Sequence, residues 1–304
     1  MNISFKKKIV KLKSVLILNK TKRKEYREAE FKKFEQQLKS SAKWGVSYSL
    51  FDGEELLEPS LLSIRENVDY INVVYQKESW VGQKAAKNIE ELLKNLEKKG
   101  LIDEIIEYKV KPDVKCSFTQ ETMKRQLGLE HLVNAGCNYY LPMDVDEFYF
   151  RDEFENAKNF ILDNNITYSF CAQIPYGLTP NDLIADVRCH PCYVAFFSKV
   201  DKNSILYGIN KSGKSCLPCL VDKSRVLSSR KEFYSNSKTY FFTYIKMHHM
   251  SYVRNDLKRK FENSSTPSRR DSFYDDKFYN ISKVDDVFEI SKYLNISQNV
   301  QTEG

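Results

Sequence analysis

The chain has 304 residues, 41% hydrophobic and 29% charged, with a formal net charge of +7. This is the composition of an ordinary soluble globular protein, with room for one large domain or two small ones. Seven cysteines, an odd number, argue for reduced cytosolic thiols and against a disulfide framework.

The charge is unevenly placed. Residues 1–43 hold 14 Lys or Arg and 4 Glu, a net +10, which leaves the remainder near −3. Residues 9–18 are apolar, but Lys11 and Lys13 interrupt them and they are too short to span a bilayer. No secretory signal is evident, so the expected compartment is the cytoplasm. Residues 25–40 read as a helix, with Phe31, Phe34 and Leu38 at helical spacing. A basic segment with an apolar stripe can lie on an anionic membrane surface or pack on the domain. The basic run is confined to this tail and no reader motif accompanies it, so nucleic acid is not an expected partner.

Residues 44–51 predict the first strand, and Asp52-Gly53 turns the chain. Residues 54–64 predict a helix reset by Pro59, and 68–75 a second strand. Residues 83–99 form an amphipathic helical pattern closed by Gly100, and 101–110 lead into a strand. Residues 119–135 predict a helix capped by Thr119 and ended by Gly136. The stretch Tyr139-Tyr140-Leu141-Pro142-Met143-Asp144-Val145-Asp146-Glu147-Phe148-Tyr149 follows, an apolar strand running into three carboxylates. This alternation of strand and helix predicts an α/β fold with a mostly parallel, helix-covered sheet.

Residues 154–162 add a helix. Short β runs at 168–174, 192–200, 204–209 and 239–245 predict a smaller mixed or antiparallel part. A basic helix over 255–262, a polar loop over 267–276 and a tail helix over 284–294 complete the chain.

The carboxylates are the candidate chemistry. They lie at the C-terminal edge of a strand, where open α/β sheets bind ligands. Strand alternation directs Asp144 and Asp146 to one side, and two like charges held close call for a cation between them; carboxylate oxygens suit Mg or Mn. The alternative is an acidic turn. His248 and His249 end a late strand, and one of them could complete a metal site begun by Asp146. Arg254, Lys258, Arg259 and Lys260 follow, either as a solvated helix face or as a phosphate clamp. The pairs Cys189/Cys192 and Cys216/Cys219 approach the spacing of a structural zinc site, or are small buried hydrophobes. A dinucleotide-binding turn is excluded, because Phe51-Asp52-Gly53-Glu54-Glu55 has one glycine and three acids that would repel a pyrophosphate. Neither a phosphate-binding loop of the Walker type nor a Gly-x-Ser-x-Gly elbow is present.

Together, the early strand turning into Asp-Gly-Glu-Glu, the second strand 71–75, Lys124-Arg125, Met-Asp-Val-Asp-Glu-Phe-Tyr and the late His-His-Met-Ser-Tyr-Val-Arg resemble a bacterial family-2-type glycosyltransferase with the GT-A fold. The resemblance covers roughly residues 44–265. It implies a basic extension over 1–43, a transferase domain over 44–265 and a loop with a helical tail over 266–304. It implies a hexosyltransferase-like enzyme using Mn or Mg and a nucleotide-sugar, a UDP-sugar. The acceptor would be a surface polysaccharide, a lipooligosaccharide or capsule, met at the cytoplasmic membrane face.

By the same resemblance, Asp144 and Asp146 hold metal and nucleotide-sugar, and His249 or His248 adds a ligand. Phe51, Asp52 and Glu54, with Ser49, Tyr75 and Gln76, flank the nucleotide. Lys124, Arg125 and Arg254 stand by it. The second strand departs from the family pattern, ending in Tyr75-Gln76-Lys77-Glu78 and not in acids. Asp146, Glu147 and Asp222 are the catalytic candidates, with Asp182 and Asp186 as other carboxylates from which a base could come. Two other classes remain open at this point: a metal-dependent nucleotidyl- or phosphotransferase, and a zinc-bearing binding protein.

Overall fold

A computed structural model describes residues 3–184, 193–209, 214–215, 222–229, 237–263 and 281–294. The chain divides into two compact units, Met1–Ala42 with Leu162–Asn164, and Lys43–Ile161 with Asn165–Gly304.

The first unit carries two helices, α1 (Ile3–Val15) and α2 (Lys20–Ser41). The second helix begins earlier than its apolar spacing predicted, because the Asn19 carboxamide accepts the N–H groups of Thr21 and Lys22 as a cap. Phe31 is half-buried, whereas the side chains of Phe34 and Leu38 lie outside the described residues.

The second unit begins with β1 (Trp44–Leu50), a tight turn at Glu54–Leu56 and α3 (Leu57–Ile64). Then come β2 (Tyr70–Tyr75), α4 (Ile89–Lys98), β3 (Glu104–Glu107) and α5 (Ser117–Asn134). The acidic stretch supplies β4 (Tyr139–Asp144) and β5 (Glu147–Phe148), and α6 (Arg151–Asn164) follows. Five short strands come next: β6 (Tyr168–Pro175), β7 (Asp182–Ile184), β8 (Tyr193–Lys199), β9 (Lys214–Ser215) and β10 (Ser228–Ser229). The described chain ends with β11 (Thr239–His249), α7 (Leu257–Glu262) and β12 (Ile281–Lys283).

Eight strands form one sheet in the order β3-β2-β1-β4-β8-β6-β11-β5. The first four run parallel; β8 is antiparallel to both its neighbours, β6 and β11 run parallel, and β5 closes the edge antiparallel. Two small antiparallel pairs, β9–β10 and β7–β12, stand outside it. This is the expected GT-A-like α/β architecture, a mostly parallel sheet covered by helices with a smaller mixed part.

β1, β2 and β4 are buried almost throughout, as parallel strands covered on both faces require. Helix α5 lies directly on β1 and β2. A Cβ at Gly128 would overlap Ser47 Oγ, and one at Gly45 would overlap Leu132, so these two glycines set the approach. Asn72 Nδ2 donates to Gly128 O at 2.9 Å and fixes the helix there. Trp44 stacks on Tyr139 with ring centroids 4.1 Å apart and meets Phe197 edge-on.

Several boundaries differ from the sequence pattern. The 83–99 helix starts only at Ile89, because Ser79 N donates to Gln83 O and Ala85 N to Lys77 O, making a hairpin of residues 77–85. Gly100, at φ 74°, ends that helix as expected. Thr119 is not the cap of α5: the helix begins two residues earlier, after Cys116. Residues 204–209 are turns that touch β structure only where Leu206 bridges Leu227. Among the described residues of the tail, only a short turn at Ile290–Lys292 is helical, with the Asp286 carboxylate accepting the N–H groups of Ile290 and Ser291. The 267–276 loop, both cysteine pairs and Asp186 lie outside the described residues.

Candidate functional site

At the C-terminal ends of β1 and β4, a cavity of about 340 Å³ is lined by Phe51, Asp52, Lys124, Asp144, Asp146, Asp222, Arg225, His249, Arg254 and Lys260, among others. Strand β4 ends at Asp144, so its pleat does not extend to Asp146, which sits in the Val145-Asp146 turn before β5. The two aspartates accordingly meet different partners.

Asp144 is held by arginines. Arg125 Nη2 donates to both its oxygens, at 2.8 and 3.1 Å, and Arg225 Nη2 meets Asp144 Oδ2. Burial pushes the Asp144 pKa up, but Arg125 and Arg225 outweigh it and hold the carboxyl below its ordinary value. Arg125 extends from α5 and also bonds Glu121. Its neighbour Lys124 is buried and donates to Leu50 O at 2.7 Å; burial pushes its ammonium down to about 7.

Asp146 is 2% exposed. Arg254 Nη2 donates to its Oδ2 at 2.6 Å and Lys260 Nζ at 3.3 Å. Burial raises its pKa, but Lys260, Arg254 and His249 together hold it well below the carboxylate range. The other oxygen, Oδ1, is buried, accepts no hydrogen bond among the described residues and lies 3.6 Å from His249 Nε2. Gly53 makes room for this arrangement: at φ 79° it has no side chain where a Cβ would collide with Arg254 Nη1.

Ligand atoms of Asp146, Glu147 and His249 all lie within 4.8 Å of one another. Two of these groups suit a divalent cation. The unsatisfied Asp146 Oδ1 and the adjacent imidazole nitrogen are the kind of donor set Mn or Mg accepts. Gln173 Nε2 lies 2.5 Å from His249 Nδ1; as placed it donates there and leaves the ring proton on Nε2, toward Asp146, whereas the flipped amide would accept from Nδ1–H and free the Nε2 lone pair for a cation. Glu147 is committed elsewhere. It is fully buried, its Oε2 accepts Asp144 N–H at 3.1 Å, and its Oε1 is 2.6 Å from Arg225 Nη1. Burial pushes its pKa up.

His248 faces the other way. Its Nδ1 is 2.9 Å from the Tyr176 hydroxyl, and its ring lies against Phe150 and Phe288. Burial pushes its pKa from 6.5 down to about 4. In the unfolded chain the same imidazole takes a proton near 6.5, so between these values the unfolded state binds more protons. Stability should therefore fall as pH drops from 6.5 toward 4, by up to about 3 kcal/mol from this group. Denaturant titration of wild type and His248→Gln at pH 7 and pH 5 measures it; equal losses in both proteins would remove His248 as the cause.

Arg225, which the sequence did not single out, ties the site together. It ends the short turn Lys223–Arg225, capped by Asp222, whose carboxylate accepts Ser224 N at 2.9 Å. Its guanidinium reaches three carboxylates: Asp144, Glu147 and Asp222. Asp222 lines the cavity, whereas Asp182 sits in β7 paired with Lys283. Of the late cations, Lys260 and Arg254 reach Asp146, Arg259 lies 3.6 Å from Asp52 and 3.3 Å from Glu54, and Lys258 projects into solvent.

Tyr75, Gln76 and Glu54 do not line the cavity. The Tyr75 hydroxyl turns to Glu90, and Gln76 is buried with its Nε2 donating to Glu78 O. Residues from the hairpin of 77–85, from α7 and from its C-terminal cap stand there instead: Trp80, Phe261 and Asn263. Gln83 joins the two segments, donating to Glu262 Oε2 at 3.0 Å and accepting from Asn263 Nδ2 at 2.6 Å. Asn263 Nδ2 also donates to Arg259 O, which fixes the amide and leaves its buried Oδ1 without a hydrogen bond among the described residues. Trp80 Nε1 is likewise buried without one. No motif announces either residue.

No protein-family model matches the chain, and no curated protein sequence does. Solved structures do. S. aureus TarS 1-349 is similar over 69% of this chain and 60% of its own, at 10% identity and a TM-score of 0.40. Its complex with UDP-GlcNAc is similar over 49% and 37%, at 12% and 0.32. A glycosyltransferase involved in the glycosylation of the major capsid of PBCV-1 is similar over 66% and 82%, at 9% and 0.33. The chain spans less than two thirds of the TarS chains it matches.

Proposed function

We propose that the chain is a metal-dependent glycosyltransferase that moves a sugar from a UDP-sugar to a glycan acceptor, with residues 44–265 as the transferase domain. The observation that carries this reading is one cavity that joins an acidic turn, with an unsatisfied carboxylate oxygen beside an imidazole, to a wall of arginine and lysine. The carboxylates of Asp52, Asp144, Asp146, Glu147 and Asp222 stand against the cations of Arg125, Arg225, Arg254 and Lys260. The site thus has no surplus positive charge of its own for a diphosphate. Asp146 and His249 are the residues that would hold a Mn or Mg ion, whose charge would offset that of a departing diphosphate.

Arg225, Arg254 and Lys260 line the cavity and suit phosphate oxygens, the arginines through their fork. Asp222, on the same wall, takes the proton of the acceptor hydroxyl. Glu147, outside the lining, positions Arg225 and the Asp144 backbone. The Trp80 N–H and the Asn263 carbonyl complement a heterocycle that offers both an acceptor and a donor, as uracil does. A surface polysaccharide or lipooligosaccharide acceptor belongs to the same reading.

Calorimetric titration with UDP in Mn and in EDTA, followed by hydrolysis of a UDP-sugar panel, tests it. UDP should bind at least about tenfold more tightly with Mn, and the hydrolysed product should be UDP. Metal-indifferent binding would overturn the metal, and release of UMP would assign nucleotidyl transfer. Trp80→Phe keeps an aromatic face but loses the N–H and part of the ring area, and should weaken UDP binding about tenfold; unchanged affinity takes Trp80 out of the site.

A further inference from the structure

We propose that the turn between α1 and α2 is a docking tip for an anionic lipid bilayer. The turn is braced from within. Arg23 Nε donates to Ile17 O at 2.9 Å and Arg23 Nη2 to Val15 O at 3.4 Å, while Arg27 Nε donates to Ser14 Oγ at 2.5 Å. Side chains of α2 thus bond the Val15 carbonyl at the end of α1 and the Ile17 carbonyl in the turn, and Asn19 starts α2.

Its aliphatic side chains point outward. Leu12 is 71% exposed, Val15 58%, Leu16 86% and Leu18 93%. One exposed leucine is ordinary, but four such residues at one hairpin tip form a patch that asks for a partner. Exposed lysines surround it: Lys8, Lys11, Lys13, Lys20, Lys22 and Lys24. The first 24 residues of the sequence hold nine Lys or Arg and no Asp or Glu.

The partner must be negative at its surface and apolar just beneath, which describes the headgroup boundary of an anionic membrane. A nucleic acid would meet the lysines but has no place for the leucines. A second copy of the same tip would bring like charge against like charge. Among the described residues no helix is long and apolar enough to cross a bilayer, so the contact is interfacial. The tip takes in Val15, Leu16 and Leu18 of the apolar run over 9–18, between basic runs in the sequence.

Co-sedimentation of the full chain with vesicles tests this without any catalytic readout, so its outcome is independent of the transferase reading. One vesicle set is phosphatidylcholine alone; the other is two parts phosphatidylcholine to one part phosphatidylglycerol. Wild type should bind the mixed vesicles and not the neutral ones. Leu16→Ser with Leu18→Ser, which changes no charge and lies between the helices, should lower the partition at least about tenfold with an unchanged circular dichroism spectrum. Lys20→Gln, Lys22→Gln and Lys24→Gln together should lower it similarly and reduce its sensitivity to salt. Wild-type binding by the double serine variant, or equal binding to both vesicle sets, would overturn the proposal. So would lipid-free self-association that the serine variant abolishes, since that assigns the tip to a second copy of the chain.

Discussion

Asp146→Asn should eliminate the Mn dependence of UDP binding and lower sugar-transfer turnover at least about a hundredfold. The asparagine keeps the size of the side chain, and its carbonyl can still accept from Arg254, which lies 2.6 Å from Asp146 Oδ2. What it removes is the charge beside His249 and the anionic character of the unsatisfied Oδ1. Asp146→Ala is a harsher variant, because the nearly buried Arg254 would lose the carboxylate 2.6 Å from its Nη2, leaving Asp52 at 3.6 Å from Nη1 as a longer contact. Circular dichroism and denaturant titration separate loss of metal from loss of fold. Turnover of the asparagine variant within a few-fold of wild type at saturating Mn would exclude Asp146 as a ligand.

Arg225→Ala should be the most destabilising single change in the site, at about 3–5 kcal/mol. Its guanidinium is 8% exposed and reaches Asp144, Glu147 and Asp222. Removing it leaves the fully buried Glu147 without its ion-pair partner and Asp144 with Arg125 as its remaining ion pair among the described residues. Urea titration reads the loss, and a change below about 1 kcal/mol would mean that the three carboxylates do not depend on this residue. Arg225→Lys keeps the charge but not the fork that spans three acids, so it should recover only part of the stability. Combining Arg225→Ala with Glu147→Gln should recover part of the loss as well, because the buried orphan charge disappears with its partner.

Much of the fold was legible because its signals are local. The unbroken apolar runs of β1, β2 and β4, the amphipathic pattern of α4 and the glycines at 100 and 136 each name an element without reference to the rest of the chain. Boundaries went astray where a side chain or turn competed with the pattern. Residues 83–88 have helical spacing, yet the backbone at Gln83 is used by a hairpin. Residues 204–209 have strand composition but only one bridge partner.

The acidic stretch, the two late histidines and Arg254 were visible as residue types in order, and their convergence followed from strands that end at one sheet edge. Which histidine faces the acids was not, because adjacent residues on β11 point to opposite sides and only the register with β5 and β6 decides between them. Arg225 and Trp80 were invisible for a related reason. Each stands on an irregular segment with no periodicity, and each matters only through groups brought to it by distant chain: Asp144 lies 81 residues before Arg225. Sequence by itself determined the layer architecture and the acidic strand end, because hydrophobic period and charge are properties of neighbours in the chain. Tertiary structure alone decided that four basic side chains neutralise two aspartates and that one carboxylate oxygen remains open beside His249, because burial and pairing are properties of neighbours in space.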